Sequence, residues 1–194
     1  MAEKEQAELQ FWIDWFNSYD EVGYRQSRCK AYERTVSYLP QLDEERGHGL
    51  DLGCGLLSMF ESSGLNITAI DPLLGEYQKV YMPPPSNVAY VPGQEDDGSI
   101  PFPDSHFDFV VCVNVIDHTE HWKRLLQEIK RVLKPGSRLY FMVNFDPVLT
   151  PPHHVMLWNY NTVTSELPFF MNRGIIDWIE CYAKYQFWGT FKNQ

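Results

Sequence analysis

A carboxylate directly ahead of a glycine turn is the first feature of this sequence that could do chemistry. Asp51 precedes Gly53 and Gly55, which stand between a short apolar run and a helix-like run. A glycine turn between a strand and a helix lets the backbone approach a ligand closely. A second acid, Asp71, ends the next apolar run, where it can accept hydrogen bonds from a ribose diol. Together these residues predict a site for a ligand that contains a nucleoside.

The charge of Asp51 narrows the choice of ligand. A carboxylate at this place repels a pyrophosphate, because two like charges at short range are unfavourable. The same carboxylate suits a ligand with a cationic amine. S-adenosylmethionine carries such an amine together with a carboxylate, a sulfonium and a ribose. We therefore expect this cofactor in preference to a dinucleotide.

Histidines in two loops are candidates for a general base. The sulfonium of this cofactor carries an activated methyl group, and its transfer depends mainly on how the protein aligns the acceptor with that group. A base is needed in addition where the acceptor is a hydroxyl or a protonated amine. His118 follows the predicted central strand, and His153 and His154 lie in the loop after the fifth strand. Both loops belong to the carboxyl edge of the predicted sheet, where such folds bind ligands. We predict His118 and His154 as catalytic, with a hydrogen-bonded loop residue as the alternative for each, and no metal site.

Alternating strands and helices must bring these residues to one edge. The apolar run Phe107–Val115 predicts a central strand that is buried on both faces. A helix is clearest over His121–Leu133, where apolar residues recur at helical spacing before Lys134, Pro135 and Gly136. This alternation predicts an α/β fold with a doubly wound, mostly parallel, Rossmann-like sheet. The other expected elements are strands over Gly49–Leu52, Asn66–Asp71, Asn87–Val91 and Arg138–Asn144, and helices near Leu57–Ser63 and Leu73–Tyr81.

Two segments flank this core. Helical patterns run from Glu3 to Leu39, with a break over Asn17–Gly23. Their aromatic stripe predicts either packing on the core or a lid over a ligand cleft, and we favour packing because an apolar stripe at helical period is typical of a core contact. A helix from Asn161 or Thr162 leads to two aromatic strands, 175–183 and 185–191, which predict a C-terminal antiparallel hairpin. We expect one domain, with an N-terminal helical segment over 1–46 and a cofactor-binding core over 47–194.

Composition limits the choice of partner and compartment. The net charge of −10 over 194 residues argues against a protein that binds a nucleic-acid backbone, which needs a basic surface. The N-terminus has no apolar leader, and no segment reaches membrane-spanning length. The four scattered cysteines predict reduced thiols and a cytoplasmic location. They are Cys29, Cys54, Cys112 and Cys181.

Five motifs follow one another in a fixed order along the chain. They are LDLGCG at 50–55, AIDP at 69–72, GQEDDGSIPFPDSHFD at 93–108, NVIDHTEHW at 114–122 and EIKRVLKPGSRLYF at 128–141. In this order and spacing they resemble the motifs of the class I S-adenosylmethionine-dependent methyltransferases, in particular the small-molecule enzymes similar to methyltransferase type 11. The resemblance covers about residues 49–174 and implies methyl transfer from S-adenosylmethionine to a small-molecule acceptor.

The resemblance implies a role for the residues around the first glycine turn. Gly53 and Gly55 would line the methionine part of the cofactor, and Asp51 would face its amino group, often through water. Asp71 would hold the ribose hydroxyls. Two departures from the family pattern are Leu57, where a third glycine is common, and a first helix about one turn shorter than usual.

The resemblance also implies roles for two later segments. Gln94, Glu95 and Asp96 fall where such enzymes contact the adenine, although Gln94 replaces a common carboxylate. Asn114 and Val115 would border the methyl donor and the acceptor. The full set predicted to bind the cofactor is Asp51, Gly53, Cys54, Gly55, Asp71, Pro72, Gln94, Glu95, Asp96, Asn114 and Val115.

Two other functions stay open at this point. A nicotinamide-dependent oxidoreductase uses a similar fold, but Asp51 and the missing third glycine argue against it. A non-catalytic methyltransferase-like subunit, which activates or scaffolds a partner, is kept open by the shortened glycine region and by aromatic residues expected to be exposed. Turnover on a true acceptor distinguishes the enzyme from the subunit.

Overall fold

A mixed sheet forms the centre of the computed structural model, which describes residues 3–83, 85–93, 97–146, 156–167, 170–179 and 184–193. Over these residues its seven strands follow the order β3-β2-β1-β4-β5-β7-β6. The first five strands are parallel, and β7 pairs in antiparallel fashion with both β5 and β6. The strands are β1 His48–Leu52, β2 Asn66–Asp71, β3 Val88–Pro92, β4 Phe107–Val113, β5 Leu133–Phe145, β6 Phe170–Ile179 and β7 Lys184–Asn193.

The helices lie on both faces of this sheet and at its carboxyl edge. The second of them begins after Asp20, whose carboxylate accepts a hydrogen bond of 2.7 Å from the Gly23 amide. This cap separates the first two helices at the break that the sequence predicts. The helices are α1 Glu3–Asn17, α2 Glu21–Tyr38, α3 Leu74–Tyr77, α4 Trp122–Val132 and α5 Tyr160–Glu166, with short 3-10 turns at Pro40–Leu42 and Met59–Ser62.

Strand β4 is buried on both faces, as its apolar run predicts. Val110 and Cys112 belong to a cluster that contains Ile129 of α4, whereas Phe109 and Val111 belong to a second cluster. Residues of α2, among them Val36, pack against the second cluster.

The order and pairing of the strands and the positions of the helices confirm the predicted fold. The confirmed features are the α/β fold, the mostly parallel Rossmann-like sheet, the C-terminal antiparallel hairpin and the N-terminal helices.

The segment after the first glycine turn differs from the prediction. A helix near Leu57–Ser63 is wrong, because the chain forms only the 3-10 turn Met59–Ser62. The Ser58 hydroxyl caps this turn by accepting a 3.1 Å hydrogen bond from the Phe60 amide. Gly64, at a φ of 73°, then turns the chain towards β2. Other boundaries also differ: α3 is shorter than Leu73–Tyr81, and β5 begins at Leu133 rather than Arg138. The first strand of the C-terminal hairpin is Phe170–Ile179 rather than 175–183.

Cys29, Cys54 and Cys112 are free thiols, and Cys181 lies outside the described residues. Among the helices that the structure describes, none combines the length and apolar character needed to cross a membrane. The cytoplasmic location stays a prediction.

Candidate functional site

A cavity of about 140 Å³ lies along the carboxyl ends of the parallel strands. Its walls include Gly53 after β1, Asp71 at the end of β2, Gly93 after β3 and Asn114 after β4. Four separate strands thus contribute their C-terminal ends to one space. This is the place where open parallel sheets of this type bind their ligands.

Asp71 ties together the two loops at the centre of this cavity. Its carboxylate accepts hydrogen bonds of 2.9 Å from the amides of Gly55 and Leu73, one on each oxygen. The side chain is largely buried but still lines the cavity. A carboxylate at the cavity wall is a hydrogen-bond acceptor that suits the hydroxyl groups of a ligand.

The two glycines of the first turn have backbone angles that side chains disfavour. Gly53 has a φ of 71° and Gly55 a φ of 64°. A Cβ atom at Gly53 would lie 2.5 Å from Cγ2 of Val115, so a side chain there would force Val115 to move. The turn is held by hydrogen bonds of 2.9 and 3.1 Å from the Gly53 and Cys54 amides to the Ile70 carbonyl.

Asp51 is buried next to this turn and does not reach the cavity wall. Its carboxylate accepts a 2.6 Å hydrogen bond from the Ser58 hydroxyl. Burial raises the pKa of Asp51 to about 6, although the Ser58 bond and the charge of Arg28 lower it. Asp51 can therefore act on a ligand in the cavity through its charge or through an intervening group.

His118 lies at the end of the cavity that α1 covers. Its Nε2 is 3.3 Å from Nδ2 of Asn114, and its Nδ1 is 3.8 Å from Oε2 of Glu8. Burial lowers the pKa of His118, but the neighbouring Glu8 carboxylate and the negative charge of Asp117 outweigh burial and raise it. Asn114 itself has a φ of 59°, which bends the chain sharply where it leaves β4.

Helix α1 both packs on the core and covers the cavity, so our preference for packing alone was incomplete. Leu9 and Phe16 pack in a cluster with Tyr24. On the same helix, Glu8 and Trp12 line the cavity and are joined by a 2.9 Å hydrogen bond from Trp12 Nε1 to Glu8 Oε1. The sequence shows the aromatic stripe of α1 but gives no sign that Glu8 faces a ligand space.

The structure brings together much of the set predicted from sequence. The predicted residues that line the cavity are Gly53, Asp71, Pro72, Asn114, Val115 and His118. Cys54 is buried beside them, and Asp51 and Gly55 lie adjacent to the wall. Gln94, Glu95, Asp96 and His154 lie outside the described residues. Sequence reasoning missed Glu8, Gly98, Ser99 and Thr119, which also line the cavity.

Comparison with known proteins points to one family. The family model of the methyltransferase domain matches residues 23–180. The biotin biosynthesis bifunctional protein BioHC of Cellvibrio japonicus is 33% identical over 127 residues, which are 63% of this chain and 24% of that protein. The ubiquinone/menaquinone biosynthesis C-methyltransferase UbiE of Laribacter hongkongensis is 43% identical over 56 residues, 29% of this chain and 22% of that enzyme. The chain thus spans about a quarter of the length of these curated relatives.

Solved structures share the fold at low sequence identity. The 1,6-didemethyltoxoflavin-N1-methyltransferase of Burkholderia thailandensis, with bound 1,6-didemethyltoxoflavin and S-adenosylhomocysteine, has a TM-score of 0.64 at 16% identity and covers 100% of this chain and 92% of its own. The phosphoethanolamine N-methyltransferase 2 of Haemonchus contortus, in complex with S-adenosyl-L-methionine, has a TM-score of 0.64 at 15% identity over 84% of this chain and 53% of its own. Since the family model matches most of the sequence and the fold agrees with it, the chain belongs to the S-adenosylmethionine-dependent methyltransferase family.

Proposed function

We propose that this protein transfers the methyl group of S-adenosylmethionine to a small-molecule acceptor that binds between α1 and the segment 114–118. The observation that carries the proposal is a continuous cavity that extends from Asp71 to His118 along the carboxyl edge. One end presents a carboxylate suited to a ribose, and the other presents an imidazole and an amide suited to a polar acceptor. Family membership argues against the nicotinamide-dependent alternative.

The residues along this edge fit the cofactor. Asp71 lines the cavity with a carboxylate that suits the ribose hydroxyls, and Gly53 provides a backbone surface without a side chain for the methionine part. Asn114 and Val115 border the place of methyl transfer. When bound, the cofactor supplies the activated methyl group, so the protein has to align the acceptor and exclude water.

The remaining assignments rest on sequence motifs. Residues 94–96 are proposed to contact the adenine, and His154 is proposed as a second catalytic candidate.

A small-molecule acceptor is supported by the net charge of −10, which disfavours nucleic acid. It is also supported by the bound 1,6-didemethyltoxoflavin and phosphomonomethylethanolamine in two proteins of similar fold.

Calorimetric titration tests the cofactor part of this proposal. We expect S-adenosylhomocysteine to bind with one site per chain and a nicotinamide dinucleotide to give no binding heat. Well-folded protein that binds neither S-adenosylmethionine nor S-adenosylhomocysteine would contradict the proposal. Binding without methyl transfer to any member of a broad acceptor panel, together with stable association with another chain, would favour the non-catalytic subunit.

The proposed proximity of Asp51 to the cofactor amine predicts a proton linkage. Since burial raises the pKa of Asp51 to about 6, this group is partly protonated near that pH in the free protein. A cationic amine nearby lowers the pKa, so binding should release about half a proton near pH 6. Titrations of S-adenosylhomocysteine in two buffers with different ionisation enthalpies measure this number.

Asp51→Asn is the matched control, because it keeps the size of the side chain and removes the titrating group. We expect the proton release near pH 6 to disappear in this variant. Proton uptake by the natural protein, or an equal proton release by the variant, would show that the cofactor amine does not change the protonation of Asp51.

A further inference from the structure

A continuous chain of hydrogen-bonded side chains leads from α2 across the sheet to His118. Arg34 donates to Oε1 of Gln186 at 2.8 Å, and Nε2 of Gln186 donates to Oδ1 of Asn144 at 2.8 Å. Nδ2 of Asn144 then donates to Oδ1 of Asn114. The Nδ2 atom of Asn114 is 3.3 Å from Nε2 of His118. We call the three amides Gln186, Asn144 and Asn114 the amide relay.

Two of the three relay amides are buried, so the way they are oriented affects the free energy of the fold. Asn144 and Gln186 are only 3% and 4% exposed, and they are opposite one another in the register of β5 and β7. Both residues interrupt strands whose neighbouring side chains, such as Val143 and Phe187, are fully or almost fully buried. Because a buried amide that loses its hydrogen-bond partner is unfavourable, each of these two amides is held in the orientation that satisfies both of its ends.

Arg34 determines the direction of the whole chain. A guanidinium has only donors, so the group of Gln186 that faces it must be the carbonyl oxygen. The amide nitrogen of Gln186 therefore faces Asn144, and the same argument applies to each following link. The reversed arrangement would bring the amide nitrogen of Gln186 against the donors of Arg34.

The last link sets the position of the proton on His118. Since Asn114 presents its amide nitrogen, Nε2 of His118 has to be the acceptor. The proton of the neutral imidazole is then on Nδ1, which is 3.8 Å from Oε2 of Glu8.

We propose that Arg34, Gln186 and Asn144 are positioning residues which, through Asn114, hold His118 as the Nδ1–H tautomer. The proposal rests on the proposed function, because it makes His118 an N–H donor at the acceptor end of the cavity. With Nε2 occupied by Asn114 and Nδ1 protonated, the neutral ring orients an acceptor instead of removing its proton. This assigns His118 a role different from the general base that the sequence predicts.

Nitrogen NMR of the imidazole ring tests the proposal directly. Protein labelled with ¹⁵N-histidine is measured at about pH 9, where an imidazole is neutral. The His118 signals are assigned by their loss in His118→Gln. We expect Nδ1 of His118 to give the shift of a protonated nitrogen and Nε2 that of an unprotonated one.

Gln186→Glu reverses the relay at nearly constant size. The new carboxylate accepts from both Arg34 and Asn144, so Asn144 and then Asn114 must turn their oxygens towards His118. The expected result is a change of His118 to the Nε2–H tautomer. Asn144→Asp gives the same expectation from a different strand, so the test does not depend on the folding of a single variant.

Two controls separate this effect from a general disturbance of the fold. Arg34→Lys keeps a donor-only group and should keep the Nδ1–H tautomer. Asn193→Asp makes the same amide-to-acid change on β7 outside the relay, since Asn193 donates to backbone carbonyls such as that of Leu133 at 2.7 Å, and should also leave the tautomer unchanged.

An Nε2–H tautomer in the natural protein would overturn the proposal, as would an unchanged tautomer in folded Gln186→Glu and Asn144→Asp. The readout needs neither cofactor nor acceptor. A protein that fails to bind S-adenosylhomocysteine but shows the expected tautomers would therefore refute the proposed function and leave the relay intact.

Discussion

Asp71→Ala is expected to weaken the binding of S-adenosylhomocysteine at least tenfold. Each charge-assisted hydrogen bond lost between the carboxylate and a ribose hydroxyl removes about 1.5–3 kcal/mol, and a factor of ten corresponds to about 1.4 kcal/mol. The substitution also removes the acceptor for the amides of Gly55 and Leu73, so the glycine turn loses a hydrogen bond that holds it to the end of β2. Calorimetric titration measures the dissociation constant.

Asp108→Ala is the matched control at the opposite edge of the sheet. Asp108 accepts a 2.9 Å hydrogen bond from the His48 amide and a 2.6 Å hydrogen bond from Lys134, where β1 and β4 begin. Its removal therefore loses comparable bonds away from the cavity, and the dissociation constant should stay the same. An unchanged dissociation constant in folded Asp71→Ala would contradict the ribose assignment.

The parallel sheet and the position of its ligand edge could be predicted because they follow from short sequence patterns. The apolar run of β4 marks a strand buried on both faces, and the acid at the end of β2 lies where such folds bind a ribose. The parallel order then follows from the alternation of strands and helices. These features depend on neighbouring residues and on general rules of connection, so one sequence is sufficient.

The segment after the glycine turn could not be predicted in this way. Its backbone groups are satisfied by side chains that are distant in sequence. Arg28 of α2 donates to the Leu57 carbonyl at 2.8 Å, and the Ser58 amide donates to the Tyr90 hydroxyl at 3.1 Å. Because tertiary partners replace the helical hydrogen bonds, an irregular turn replaces the expected helix.

The amide relay shows a second limit. Asn144 and Gln186 can be noticed as polar residues in apolar strands, but their pairing depends on the antiparallel register between β5 and β7. Arg34 comes from α2, much earlier in the chain. Only a three-dimensional arrangement can show that these residues reach His118.

Gly53→Ala is expected to lower both stability and cofactor affinity. A side chain at a φ of 71° costs about 1–2 kcal/mol, and the new Cβ would lie 2.5 Å from Cγ2 of Val115. Val115 lines the cavity, so the displacement that relieves this clash deforms the wall beside the proposed place of methyl transfer. We expect at least about tenfold weaker binding of S-adenosylhomocysteine, measured by calorimetry, and a lower free energy of unfolding, measured by urea denaturation.

Gly64→Ala separates backbone strain from the clash. Gly64 has a similar φ of 73°, but a Cβ there meets nothing within 4 Å, and the residue lies outside the cavity wall. This variant should lose about 1–2 kcal/mol of stability and keep the natural affinity for S-adenosylhomocysteine.

In the double variant Gly53→Ala/Val115→Ala the clash is relieved while the backbone strain persists. The affinity for S-adenosylhomocysteine should therefore recover in part, without a full recovery of stability. Natural affinity in Gly53→Ala alone would mean that the close approach of the two loops does not shape the cofactor site.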